Sequence, residues 1–181
     1  MCIVSELDEL FGPVLPPQNG GVRHWESHAS VKCYELNQAS ARDLSDFLAL
    51  AMNGELGLQL MQAITMLWVV NNDGDVIFAM EQTIASEGTL RRPRMRGTPL
   101  GSSVKSLGHP LLVNGGSARI SGELYIDDSE DPDSSDLTWI LNNKSGRYGV
   151  HKTRKSEHLE NVAALFRRYQ VPVETDFMEG R

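Results

Sequence analysis

Cysteine is scarce in this chain of 181 residues. Only Cys2 and Cys33 are present, both near the N-terminus and without CxxC spacing, so neither a disulfide scaffold nor half a zinc site is expected. Long apolar runs are missing too. The longest, Ile64 to Val70, is interrupted by Thr65 and falls far short of the roughly 20 residues that cross a bilayer, which excludes a spanning helix. Positive charge is in deficit, with 17 Lys+Arg against 24 Asp+Glu and a formal net charge of -7. That balance argues against a general nucleic-acid binder, which needs a field of cations to displace counterions, but leaves room for a local cluster holding one phosphate. Met1 to Gly12 carries Glu6, Asp8 and Glu9 and has neither the basic start nor the apolar stretch of a secretory signal. The chain is therefore expected to be cytoplasmic as synthesised, with export by a route that needs no cleavable signal left open.

What is present suffices for a packed core: 40% of residues are hydrophobic and 23% charged, and the length suits one domain. Residues 1–29 mix Pro13, Pro16, Pro17, Gly20 and Gly21 with polar groups, a punctuation that predicts an extended N-terminal tail. A single globular domain is expected over 30–177, with 178–181 as a C-terminal end. Val31 to Leu36 reads as a strand. Ser40 to Met52 reads as a helix, with Leu44, Phe47, Leu48 and Ala51 at helical spacing. Leu58 to Thr65 is apolar and fits either element. Met66–Asn71 and Asp75–Met80 read as a hairpin, because Asp73-Gly74 supplies the positive φ of a tight turn. Residues 85–110, with three Pro and four Arg, read as a long loop.

A second hairpin, Ala118–Ile126 with Leu137–Asn142, flanks the acidic stretch 127–136. That stretch lacks the turn Gly and terminal Glu of a calcium loop. His151 and His158, seven residues apart across a helix start, make no standard metal pair, so no metal site is expected. Ser156 to Arg168 is the clearest helix, with acids in its first turn and Arg167 and Arg168 in its last. Val171 to Phe177 closes as a strand. The class is α+β: a mainly antiparallel twisted sheet built from hairpins, with two or three helices. Trp68-Val69-Val70-Asn71-Asn72 and Trp139-Ile140-Leu141-Asn142-Asn143 echo each other, though strand-then-turn chemistry produces such pairs unaided.

Three blocks carry candidate chemistry. Leu107-Gly108-His109-Pro110 sets a histidine where Gly108 admits close backbone approach and Pro110 stiffens the chain. His109 is a candidate base or substrate ligand, against the plainer reading of a hydrogen-bonded loop histidine. In Gly115 to Leu124, strand alternation puts Arg119, Ser121 and Glu123 on one face, as cleft wall or as solvent contact, and Gly122 in mid-strand marks a bulge or a close approach. Asn142-Asn143-Lys144-Ser145-Gly146-Arg147-Tyr148-Gly149 gathers amide, hydroxyl, guanidinium and phenol on a turn suited to an oxyanion, or serves as a plain turn. Arg91, Arg92, Arg94 and Arg96 form a basic loop, read as a solvated segment.

The order His109, Gly122-Glu123-Leu124, Asn142-Asn143-x-Ser145-Gly146-Arg147-Tyr148, then Leu159-Glu160-Asn161 resembles a domain of bacterial effector-like and toxin-like proteins. Over residues 94–170 it is also distantly similar to the C-terminal part of plant IQM calmodulin-binding proteins. Pro110 and Leu111 stand where the plant pattern has two serines, Arg147 stands for its histidine, and nothing matches an IQ motif, so calmodulin is not expected as a partner. The resemblance and the residues together imply an effector- or toxin-type enzyme, a transferase or hydrolase, with His109, Glu123 and Tyr148 catalytic. Arg119, Asn142, Ser145, Gly146 and Arg147 would bind a small anionic, nucleotide-type substrate. ADP-ribosyl transfer is one candidate reaction, with NAD as substrate. The rival is a non-catalytic module, an immunity protein or secretion adaptor, meeting a target protein through acidic surface.

Overall fold

A computed structural model describes residues 5–27, 31–85, 91–128 and 137–180. Helices α1 (Glu6–Phe11) and α2 (His24–Ser27) precede β1 (Tyr34–Glu35), α3 (Gln38–Met52) and α4 (Glu55–Gln62). Then come β2 (Met66–Val70), β3 (Val76–Met80), β4 (Gln82–Ala85), β5 (Arg91–Pro93) and β6 (Val104–Ser106). A 3-10 helix (His109–Val113) leads into β7 (Ser121–Asp128) and β8 (Leu137–Asn142), and α5 (Ser156–Arg168) and β9 (Val173–Asp176) close the chain. The fold is α+β. Its six-stranded sheet runs β1-β3-β2-β7-β8-β9, antiparallel except for the parallel β8/β9 pair, and a small sheet runs β5-β4-β6.

Both hairpins form as their turns require. Asn71 Oδ1 accepts from the Asp73 and Asp75 N–H groups, and Gly74 takes the positive φ that closes β2 onto β3. β7 pairs with β8 from Leu124↔Leu141 to Asp128↔Leu137. One face of the large sheet, through Trp68, Phe78, Leu124, Ile126, Trp139 and Leu141, packs on Leu44 and Leu48 of α3 and on Leu159, Val162 and Phe166 of α5. The other face, through Leu67, Val69 and Ala79, packs on Leu107, Leu111, Leu112, Ala118 and Tyr148. Burial on both sides explains why β2 is the uninterrupted apolar run Met66–Val70 rather than an alternating one. Both echoing tryptophans are buried in the first core; Trp68 Nε1 donates to Glu123 O and Trp139 Nε1 to Leu44 O.

Several expectations need correction. Residues 5–27 are not an extended tail. Ser5 caps α1 by accepting from the Asp8 N–H, Phe11 is buried in the main core, and Leu15 bridges to Ala118. The strand expected over 31–36 shrinks to Tyr34–Glu35, because Asn37 caps α3 two residues later through the Ala39 and Ser40 N–H groups. The ambiguous segment near Leu58 is helical. The segment expected as a loop over 85–110 carries two strands, Arg91–Pro93 and Val104–Ser106, which flank β4. Residues 129–136 of the acidic stretch lie outside the described residues.

Candidate functional site

His109 opens the 3-10 helix directly after Gly108, whose bare α-carbon leaves room for the Glu26 carboxylate. A Cβ there would sit 2.6 Å from Glu26 Oε1, whose carboxylate accepts the Gly108 N–H at 3.1 Å. The buried ring of His109 places Nε2 2.9 Å from Gly122 O. A carbonyl only accepts, so Nε2 carries the hydrogen and Nδ1 keeps the lone pair. Burial pushes the pKa down to about 4, the Gly122 bond opposes it and the Arg147 charge adds to it, so the ring is neutral near pH 7.

Glycines also let the turn after β8 fold onto β7. A Cβ on Gly122 would stand 1.7 Å from Asn142 O, and one on Gly149 would stand 2.1 Å from Ser121 O. The mid-strand glycine therefore marks a close backbone approach, one of the two meanings its position allowed. Asn143, fully buried, locks the turn by donating to Gly149 O and Met178 O and accepting the Met178 N–H at 2.7 Å. Ser145 Oγ accepts the Arg147 N–H within the turn.

Arg147 reaches from this turn into the N-terminal segment. Its Nη1 donates to the carbonyls of Gln18, Asn19 and Gly21, and its Nη2 lies 4.0 Å from Glu26 Oε2. Between the two segments lies a cavity of about 240 Å³. It is lined by His109, Lys144, Ser145, Gly146 and Arg147, by Asn19, Arg23 and Glu26 of the N-terminal segment, and by Ser106 and Gly108. Three cations and one carboxylate thus gather in a chain whose net charge is -7. Such a wall attracts an anion.

Four of the expected site residues therefore converge: His109, Ser145, Gly146 and Arg147. Two more stand behind the wall. The Glu123 carboxylate lies 3.7 Å from Lys144 Nζ, and Asn142 Oδ1 accepts both the Glu123 and the Lys144 N–H groups, so together they brace Lys144. Burial raises the Glu123 pKa, Lys144 lowers it and Glu81 adds to the rise. Lys144 is thus its ion-pair partner. The remaining two are elsewhere. The Tyr148 hydroxyl donates to Gly116 O at 2.7 Å, its ring is packed in the second core, and burial raises its pKa, so it is a packing residue with a satisfied phenol. Arg119 does not share a face with Glu123. The chain before β7 turns so that the buried guanidinium donates to Asp8 Oδ1 at 2.6 Å, Gly12 O and Asn72 O, clamping α1. Ser121 is buried, and its Oγ has no partner among the described residues. No cluster of three or more His, Cys, Asp or Glu suited to a metal ion occurs among the described residues.

Asn19, Arg23 and Glu26 were missed because they lie in the supposed tail. Ser5-x-x-Asp8 before Leu10-Phe11 was a helix-start signal that would have argued for a docked segment.

The neutral, buried His109 has a pH signature. Its pKa is lower in the fold than the ordinary 6.5, so the unfolded chain binds more protons between about pH 4 and 6.5. Its contribution is complete above that window and is lost as pH falls through it, on the order of 3 kcal/mol by pH 4. Glu123, with a raised pKa, acts in the opposite direction, while burial gives His151 and His158 the same sign as His109. Thermal melts from pH 7 to pH 4 should therefore fall less steeply in His109→Gln than in the wild type. Equal slopes would remove His109 from the account.

A second concavity, of about 470 Å³, lies between α3 and the β1/β3 edge, lined by Tyr34, Leu44, Phe47, Leu50, Met66, Phe78 and Met80 with Asp43 and Asp46 on α3. No helix among the described residues is long and apolar enough to cross a membrane. No family model matches the chain, and neither a curated protein nor a solved structure matches it.

Proposed function

We infer that the chain is an effector- or toxin-type enzyme, a transferase or hydrolase, acting on a small anionic substrate of nucleotide type. One observation carries this reading: Arg23, Lys144 and Arg147 surround a cavity that also holds a neutral histidine, in an otherwise acidic chain. The cations would bind the anionic end of the substrate, and His109 Nδ1 would accept a proton from an attacking hydroxyl or water. With a pKa of about 4 the ring is always in its acceptor form near neutrality but holds a proton weakly, which suits transient transfer more than storage. A cavity of about 240 Å³ is smaller than the usual 300–1,000 Å³ of a drug-sized pocket, so it fits a phosphate-bearing fragment, not a whole dinucleotide. ADP-ribosyl transfer from NAD draws less support, since Glu123, the carboxylate that would face a developing cation, is turned to Lys144.

The test is growth of a bacterial and a yeast host expressing the wild type, His109→Ala or Lys144→Ala. The wild type should slow growth in at least one host, and the folded variants should relieve it by tenfold or more in plated survival. Equal growth of all three would count heavily against an enzymatic toxin.

The binding-module reading has its own observation. Leu50, which lines the apolar groove, is 53% exposed, and on α4 Leu56 is 71% and Leu60 48% exposed, apolar surface of the kind that marks interaction sites. A partner carrying cations to meet Asp43 and Asp46 would suit an adaptor or immunity protein. Pull-down at low salt should then retain a basic partner, and Leu50→Glu should lose it.

A further inference from the structure

Arg147 turns its guanidinium towards the N-terminal segment. Nη1 serves the carbonyls of residues 18, 19 and 21, while Nη2 faces Glu26. The Glu26 side chain is almost wholly buried, and its carboxylate accepts the N–H groups of Arg23 at 2.7 Å and Gly108 at 3.1 Å. A buried carboxylate is costly unless such donors meet it. Here both donor residues border the cavity, Gly108 precedes His109, and the N-terminal segment contributes Asn19, Arg23 and Glu26 to the lining. Glu26 thus stands where the anionic end of a ligand would gain most from Arg147 and from the body's other groups.

The segment is held by few apolar side chains beyond Phe11 and by many hydrogen bonds from the body. Arg119 and Arg154 take the carbonyls of Gly12 and Pro13, Asn161 takes that of Leu10, and Asn19 Nδ2 donates to Gly146 O. Hydrogen bonds of this kind can be traded for bonds to other partners, so their net hold on the segment is modest. Residues 18–26, which border the cavity, contain the half-buried Trp25 but no wholly buried apolar side chain. This stretch is therefore the part of the segment least held by packing.

We propose that Arg147, with Lys144 and the Gly108 N–H, is the receptor for a phosphate-type anion, and that the Glu26 carboxylate occupies it in the resting chain. The proposal rests on the anionic-substrate reading above and adds a regulation to it. A ligand must displace the carboxylate, so its apparent affinity is lowered by the fraction of chains in which the site is closed. Glu26 is an internal competitor, not a catalytic residue.

The test uses the full chain and ADP as the probe, titrated at low ionic strength by calorimetry. Glu26→Gln keeps the shape and an acceptor for Gly108 but removes the charge, and it should bind ADP at least tenfold more tightly than the wild type. Glu55→Gln, which removes one charge from an exposed position of α4, should leave affinity within twofold. Hydrogen exchange on the wild type provides a reading that does not depend on any variant folding: saturating ADP should speed exchange of the amides of 18–26. If wild type binds ADP but Glu26→Gln binds no more tightly and 18–26 keep their protection, the internal competitor is overturned while the substrate class stands. If neither protein binds ADP, both readings fall.

Discussion

Gly122→Ala is expected to yield no stably folded protein, and Gly149→Ala the same. The added Cβ would overlap Asn142 O at 1.7 Å in the first case and Ser121 O at 2.1 Å in the second. Both obstacles are backbone, so no rotamer change relieves them, and the strand and turn must part. The cost should exceed about 4 kcal/mol, at the extreme of single substitutions. Gly101→Ala is the matched control, since a Cβ there meets nothing within 4 Å. Soluble yield, circular dichroism and a denaturant melt compare the three. A folded Gly122→Ala with its melt unchanged would show that the turn 143–149 does not lie against β7 as described.

Arg147→Met is the second large effect. The substitution keeps the aliphatic stem but removes the donors for three carbonyls and the positive charge nearest Glu26. Removing one partner of a buried charge pair typically costs about 3 to 5 kcal/mol, and the lower end applies here because Glu26 retains two backbone donors. By contrast, the exposed pair Arg96–Asp127 at 3.7 Å should contribute less than about 1 kcal/mol. Denaturant melts measure the loss, and limited proteolysis should cut within 18–26 well before the rest of the chain. Wild-type stability together with wild-type protease resistance would mean that Arg147 does not anchor the segment.

The fold class, both hairpins and the long helices were legible because their signals are local. Asp73-Gly74 specifies its own turn, and the spacing of Leu159, Val162, Ala163 and Phe166 specifies its own helix face. The site was half legible. His109 and the 145–147 turn stand out by glycine placement, which reports close approach whatever lies opposite. Arg119 and Tyr148 misled because type and spacing do not tell whether a guanidinium or phenol has already found a partner. Those partners, Asp8 and Gly116, are set by tertiary contact. Glu26 was invisible for the same reason reversed: proline and glycine at 12–21 read as looseness, yet carbonyls freed from local structure are what Arg147 and Arg154 capture.

The ties of the N-terminal segment bear on the order in which the cavity can come into being. Arg119, Arg147, Arg154 and Asn161 each bond a residue 107 to 151 positions earlier. During synthesis the segment emerges before its partners, so one wall of the site must wait until residues 119 to 161 have followed it. Contacts so distant in sequence are closed late and slowly, after local hairpins and helices have formed. A ribosome-bound chain halted before β8 can hold part of the sheet but neither the Arg147 anchor nor the Lys144 side of the pocket. The closed cavity is thereby withheld from the nascent protein until the turn at 144–147 has been made.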